Sequence, residues 1–221
     1  GISYLQDNEL KINPERLRST KPFLAPNVYQ NALLDPHVDY LHSRYKQVWA
    51  LLETNRGCPY SCSFCDLGVS AMSKVRQVSD EDVYSQLDYF SDNNIHNILI
   101  TDSNFGAFHR DIEIVDRIAS SKKRTGYPNS LYATWAKNSN DRVFEVSKKL
   151  KDNELGWGTT LSVQSMDEQV LTAIARKNIP IANYNTLHKK YAENKMPTYT
   201  EIIIGLPLET KQSFIEGLGN I

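Results

Sequence analysis

Residues 48–65 read VWALLETNRGCPYSCSFC: a short apolar run, a polar turn, then three cysteines in eight residues. Val48-Trp49-Ala50-Leu51-Leu52 suits a strand buried on both faces. Cys58, Cys62 and Cys65 follow it at CxxxCxxC spacing. Ligands normally gather just past the carboxyl ends of parallel strands. This one stretch therefore predicts both a β/α sheet and the end at which its chemistry lies.

The same alternation repeats downstream. Further strands are predicted at Ile98–Ile100, Leu131–Trp135, Thr159–Val163 and Glu201–Ile204. Helices are predicted between them. Ser79 caps the first, and Val83, Leu87 and Phe90 form its apolar stripe. Ile114, Val115 and Ile118 mark the second, and Val143, Phe144, Val146 and Leu150 the third. Ser165-Met166-Asp167-Glu168 reads as a capping box, Tyr184 to Glu193 as a further helical stretch, and Thr210 to Leu218 as the last helix. Five strand–helix alternations predict an α/β parallel sheet with right-handed crossovers. Residues 1–45 hold Pro14, Pro22, Pro26 and Pro36 with weak periodicity. They read as a linker or lead-in segment with one short helix, leaving 46–221 as the core.

Composition narrows the function. The 221 residues carry 25 Lys+Arg against 26 Asp+Glu, a net charge of −1 that gives no reason to expect nucleic acid or an anionic membrane as partner. Charges interrupt every apolar run, and mean hydropathy is −0.48, so no membrane-spanning helix is expected. No secretory signal opens the chain. It starts at Gly1 rather than Met, as an excised piece would. An odd number of cysteines in one short segment does not suit a disulfide framework. It suits a metal centre in a reducing compartment, so a cytoplasmic setting is expected.

Three thiolates leave a four-iron cubane with one iron lacking a cysteine. An open iron can bind a substrate or cofactor, as open metal sites do. The alternative is zinc on three cysteines and one of His37, His42, His96, His109 and His188. None of these lies beside the cysteines at zinc-finger spacing. That reading makes the chain a zinc-stabilised binding module without catalysis. A plain electron carrier is a third reading.

CPYSCSFC resembles the CxxxCxΦC signature of the radical S-adenosylmethionine (SAM) enzymes, with Phe64 at the aromatic position. The resemblance implies a [4Fe–4S] cluster on Cys58, Cys62 and Cys65, with SAM on the fourth iron. It further implies one-electron cleavage of SAM to methionine and a 5'-deoxyadenosyl radical that abstracts hydrogen from the substrate, a small molecule or one not identified by the sequence, or from a bound intermediate group. A low-potential electron donor is then required. The implied fold is a partial parallel (β/α)6 barrel, truncated here after about five β/α units. Phe64 would lie close to SAM through its backbone. Asp102 and Asn104 replace a Gly-Gly-Glu motif that holds the SAM amino group in many members. Lys137 falls near a position for a cation on the SAM carboxylate. Gln164 falls where the ribose or methionine part is bonded, and Gly205 in the second half of a GxIxGxxE-like motif beside adenine. Each also has a plainer reading: Asp102 and Asn104 as helix caps, Lys137 as a solvated lysine, Gln164 as a backbone partner, Gly205 as a strand end. Arg176 reads as an ion-pair former. ETNRGCPYSCSFC, DSNFG and LSVQSMD together look most like the cobalamin-binding group. That group adds cobalamin in the longer protein and, for many members, methyl transfer.

Overall fold

The computed structural model describes residues 2–14, 27–30, 33–68, 73–137, 141–156 and 158–221. Pro22 and Pro26 of the lead-in segment lie outside the described residues. The chain opens with an antiparallel hairpin, β1 (Ser3–Gln6) and β2 (Glu9–Ile12), in register Ser3 to Ile12. Asp7 and Asn8 turn it with φ of 52° and 64°. Two consecutive left-handed residues match the twist of the strands they join, a geometry that Asp and Asn tolerate. Helix α1 (Asp35–Arg44) follows, with Pro36 in its first turn. Tyr29, just before it, packs edge-on against Phe90 at 4.7 Å, and its hydroxyl donates to the Leu51 carbonyl at 3.1 Å. Part of the lead-in thus lies against the core.

The central sheet is three parallel strands in the order β3 (Trp49–Leu52), β6 (Asn97–Phe105), β7 (Ser130–Trp135). Between β3 and β6 come a two-residue ribbon, β4 (Asn55–Arg56) on β5 (Arg76–Gln77), and helix α2 (Asp80–Asp92). The ribbon closes the base of the loop that carries the cysteines. As expected from sequence, the Ser79 hydroxyl caps α2 by accepting from the Asp82 N–H. Helices α3 (Arg110–Thr125) and α4 (Asp141–Asp152) follow β6 and β7. The stripes read from sequence close over one sheet face. Ile98 and Ile100 of β6 are fully buried with Val83 and Phe90 of α2, Ile114 and Ile118 of α3, and Val143 and Val146 of α4. Removing a buried ring such as Phe90 would cost about 3–5 kcal/mol.

Three expectations are corrected. The second strand does not stop at Ile100: β6 continues to Phe105, so Asp102 and Asn104 lie within it rather than in a loop after it. The cap of α5 (Glu168–Ala173) is Asp167, whose side chain accepts from Gln169 and Val170; Ser165 instead accepts from the Asp167 N–H. The fourth and fifth strands are short. β8 (Thr159–Thr160) pairs in parallel with β9 (Thr198–Tyr199), which follows helix α6 (Ile181–Glu193), and beyond them comes a single bridge from Gln164 to Ile202. The Ile202–Ile204 run is only partly buried, with Ile204 exposed, so apolar character alone did not make it a strand. No ladder joins β7 to β8 among the described residues. A cavity of about 450 Å³ lies along that seam, lined among others by Tyr132, Trp135, Thr159 and Tyr199. The structure therefore shows an α/β architecture with parallel strands, in two hydrogen-bonded groups. Helix α7 (Lys211–Gly219) ends the chain, capped by Thr210 in a reciprocal capping box with Ser213.

Candidate metal centre

The cysteine loop leaves β3 through Thr54 and Asn55, both buried. They are held by Asp102 of the neighbouring strand. Its carboxylate accepts from the Thr54 N–H at 2.7 Å, the Asn55 N–H at 3.1 Å, the Asn55 Nδ2 at 2.6 Å and the Thr54 hydroxyl. Burial pushes the Asp102 carboxyl up from its ordinary 3.8 to about 6, against the pull of these donors. Gly57 then takes a φ of 113°, a left-handed turn suited to glycine, and delivers Cys58.

Cys58 and Cys62 are buried, Cys65 is partly exposed, and no disulfide joins them. The Cys65 N–H donates to the Cys62 carbonyl at 3.2 Å, and the Gly68 N–H to the Cys65 carbonyl at 2.8 Å. This tight turn demands Gly68: a Cβ there would lie 2.2 Å from the Cys62 carbonyl oxygen. The Ser63 N–H is bound at 3.0 Å by the carbonyl of Ile174, at the end of α5. The loop is thus fastened from β6 on one side and from α5 on the other.

Two N–H groups reach the sulfurs. Asn104 Nδ2 donates to Cys58 Sγ at 3.3 Å, and Lys137 Nζ to Cys62 Sγ at 2.9 Å. The Lys137 ammonium also lies 5.1 Å from the centre of the Tyr60 ring, a cation–π contact inside the loop. Phe64 is 39% exposed at the outer side of the loop. Gln164 follows β8 with a φ of 65°, unusual for a side chain other than glycine or asparagine. Its backbone accepts from Ile203 and donates to Glu201, so its side chain is placed by the bridge between the last two strands. Gly205 turns with φ 82°, donates its N–H to Glu209 Oε2 at 2.6 Å, and faces open space where a Cβ would stand.

Asp102, Asn104 and Lys137 are thus brought to the cysteine loop, with Asp102 at its root and the other two on its sulfurs. Gln164 and Gly205 stand on the other pair of strands. Sequence reasoning passed over Thr54, Asn55 and Gly68, although a polar pair ending an apolar strand and a glycine three residues after the last cysteine were visible signals. It also read Arg176 as an ion-pair former. Arg176 is 4% exposed, and its guanidinium donates to the Ser162 carbonyl at 2.6 Å and Asn178 Oδ1 at 2.8 Å; among the described residues no carboxylate pairs with it. A buried cation bonded only to neutral oxygens leaves a positive potential behind the cysteine loop.

The donor set fits an iron–sulfur cubane. All three donors are soft sulfurs, the ligand type that iron–sulfur clusters take.

Parallel strands with a three-cysteine loop at their carboxyl ends define an α/β core with a candidate metal centre. The comparisons make this specific: residues 52–218 match the radical SAM superfamily model, and the chain belongs to that superfamily. The chain is 42% identical over all 221 residues to the cobalamin-dependent radical SAM methyltransferase TokK of Streptomyces tokunonensis, covering 32% of that protein. It is 43% identical over 208 residues to the 2-(S-pantetheinyl)-carbapenam-3-carboxylate methyltransferase of Streptantibioticus cattleyicolor, covering 94% of this chain and 30% of that one. The chain therefore spans about a third of the length of these relatives. Among solved structures, TsrM from Kitasatospora setae superimposes with a TM-score of 0.63 at 16% identity, over 92% of this chain and 36% of TsrM. The cobalamin-dependent enzyme OxsB with SAM bound gives 0.62 at 18% identity, over 99% of this chain and 31% of OxsB. At such identities the likeness is one of fold.

Proposed function

We propose that this chain is the catalytic core of a cobalamin-dependent radical SAM methyltransferase acting on a small molecule. The observation that carries the reading is the buried CxxxCxxC loop at the carboxyl end of β3, secured by Asp102 and Gly68. When bound, the cluster and SAM supply one-electron cleavage of the sulfonium. Cys58, Cys62 and Cys65 hold the iron. Asp102 keeps the loop root rigid, and burial of two of the sulfurs keeps water away from them. Phe64 shapes the outer side of the loop next to SAM. Gln164 and Gly205 face the nucleotide from the fourth and fifth strands. The short strands β8 and β9 continue the sheet in the sense of a partial (β/α)6 barrel, which the parallel order and the likeness in fold support. Residues 1–45 serve as lead-in to a core at 46–221. One-electron SAM cleavage needs a low-potential electron donor, and a cluster-type cysteine segment goes with a reducing, cytoplasmic setting.

The identity to two methyltransferases supports methyl transfer, and the cobalamin dependence printed for one of them supports cobalamin as a cofactor of the full-length protein. The test is reductive SAM cleavage by the anaerobically reconstituted chain, followed as release of methionine and 5'-deoxyadenosine. Cleavage that disappears in each of Cys58→Ala, Cys62→Ala and Cys65→Ala supports the reading. Cleavage that survives any one of them overturns it.

A further inference from the structure

The pairing of Phe105 with Trp135 at the ends of β6 and β7 brings Asn104 and Lys137 side by side under the cysteine loop. Asn104 Oδ1 lies 3.5 Å from the Lys137 N–H, which turns the Asn104 amide nitrogen toward Cys58. The Lys137 ammonium is aimed at Cys62, with the Tyr60 ring against it. Both receiving sulfurs are buried, so water does not compete for the two bonds. Among the described residues Cys65, the more exposed thiol, has no such side-chain donor.

We propose that Asn104 and Lys137 form a two-point N–H···S clamp that sets the reduction potential of the cluster, Lys137 contributing more. This rests on the cluster assignment above. Hydrogen bonds to cluster sulfurs and nearby positive charge favour the reduced, more negative state and so raise the potential. Lys137 supplies both effects in a site of low dielectric, and Asn104 supplies only a longer, neutral bond. The family resemblance instead suggested a SAM carboxylate for Lys137. The two roles differ in one respect: a potential-setting contact acts before SAM arrives.

The test measures the midpoint potential of the cluster without SAM, by EPR-monitored titration of the whole chain, and SAM affinity separately. Lys137→Met is expected to lower the potential, Asn104→Leu to lower it less, and Lys137→Arg to stay near the parent value. An unchanged SAM-free potential in Lys137→Met, with SAM affinity weakened, overturns the proposal and returns Lys137 to the carboxylate. Should Lys137→Met lose its iron, Lys137→Gln keeps an N–H donor without the charge. A lowered potential there shows the ammonium charge at work in the clamp; an unchanged potential both there and in Asn104→Leu overturns it. A parent protein without iron would sink the cluster assignment itself. An iron-loaded parent indifferent to these substitutions would sink only the clamp.

Discussion

The Asp102 carboxylate holds the Thr54 N–H at 2.7 Å, so the middle of β6 fixes the point at which the cysteine loop leaves β3. Asp102→Asn keeps the shape but turns an amide NH2 toward donors on Thr54 and Asn55. We expect a loss of about 1–3 kcal/mol in unfolding free energy, with reduced iron retention at unchanged helix content.

The same carboxylate gives a pH signature. Its folded-state pKa of about 6 lies above its ordinary 3.8, so the folded chain binds the extra proton between those values. Stability from this group is therefore full below about pH 4 and falls as pH rises toward 6. The whole rise corresponds to about 3 kcal/mol. Urea midpoints of the parent and Asp102→Asn should draw together from pH 4 to pH 6 and then run parallel. A gap that widens with pH would contradict this.

Gly68 is the steric keystone of the loop. With the Cys62 carbonyl oxygen 2.2 Å from where a Cβ would stand, no rotamer relieves Gly68→Ala, and the loop must shift at a cost of about 1–3 kcal/mol. Iron bound per chain should fall while far-UV circular dichroism stays the same. Full iron loading would show that the turn tolerates a side chain.

Gln164 combines strain with placement. Its left-handed backbone costs about 1 kcal/mol, which Gln164→Gly should recover as a higher melting temperature. Loss of the side chain should weaken SAM binding roughly tenfold, the worth of one good hydrogen bond, with iron content unchanged. Equilibrium dialysis of the iron-loaded protein checks it; unaltered SAM affinity would make Gln164 a backbone element only.

Local signals were legible in the chain itself. The stripes of α2, α3 and α4 depend only on nearby residues and are buried as read, whereas the β3 run, expected to be buried on both faces, is buried on one only: Ala50 and Leu52 face the core while Trp49 and Leu51 stand exposed. The cysteine spacing is likewise local. The hairpin of β1 and β2 was missed because all eight of its strand residues are exposed, leaving no apolar run to read. Thr198 and Tyr199 pair with β8 while the more apolar Ile202–Ile204 run gives only one bridge, so strand choice there follows partners rather than hydrophobicity. The clasp of Asp102 on Thr54 spans 48 residues and that of Lys137 on Cys62 spans 75. Such contacts arise from strand order, which residue type alone does not carry. For this reason Asp102 and Lys137 were found as polar residues near strand ends, yet their partners were not.

The central claim is that Cys58, Cys62 and Cys65 hold a four-iron cluster. Its most direct measurement is the iron and acid-labile sulfide content of anaerobically reconstituted protein. The account requires about four of each per chain, lost on replacing any one of the three cysteines. Colourless protein with one zinc per chain, or with three titratable thiols and no iron, would contradict it.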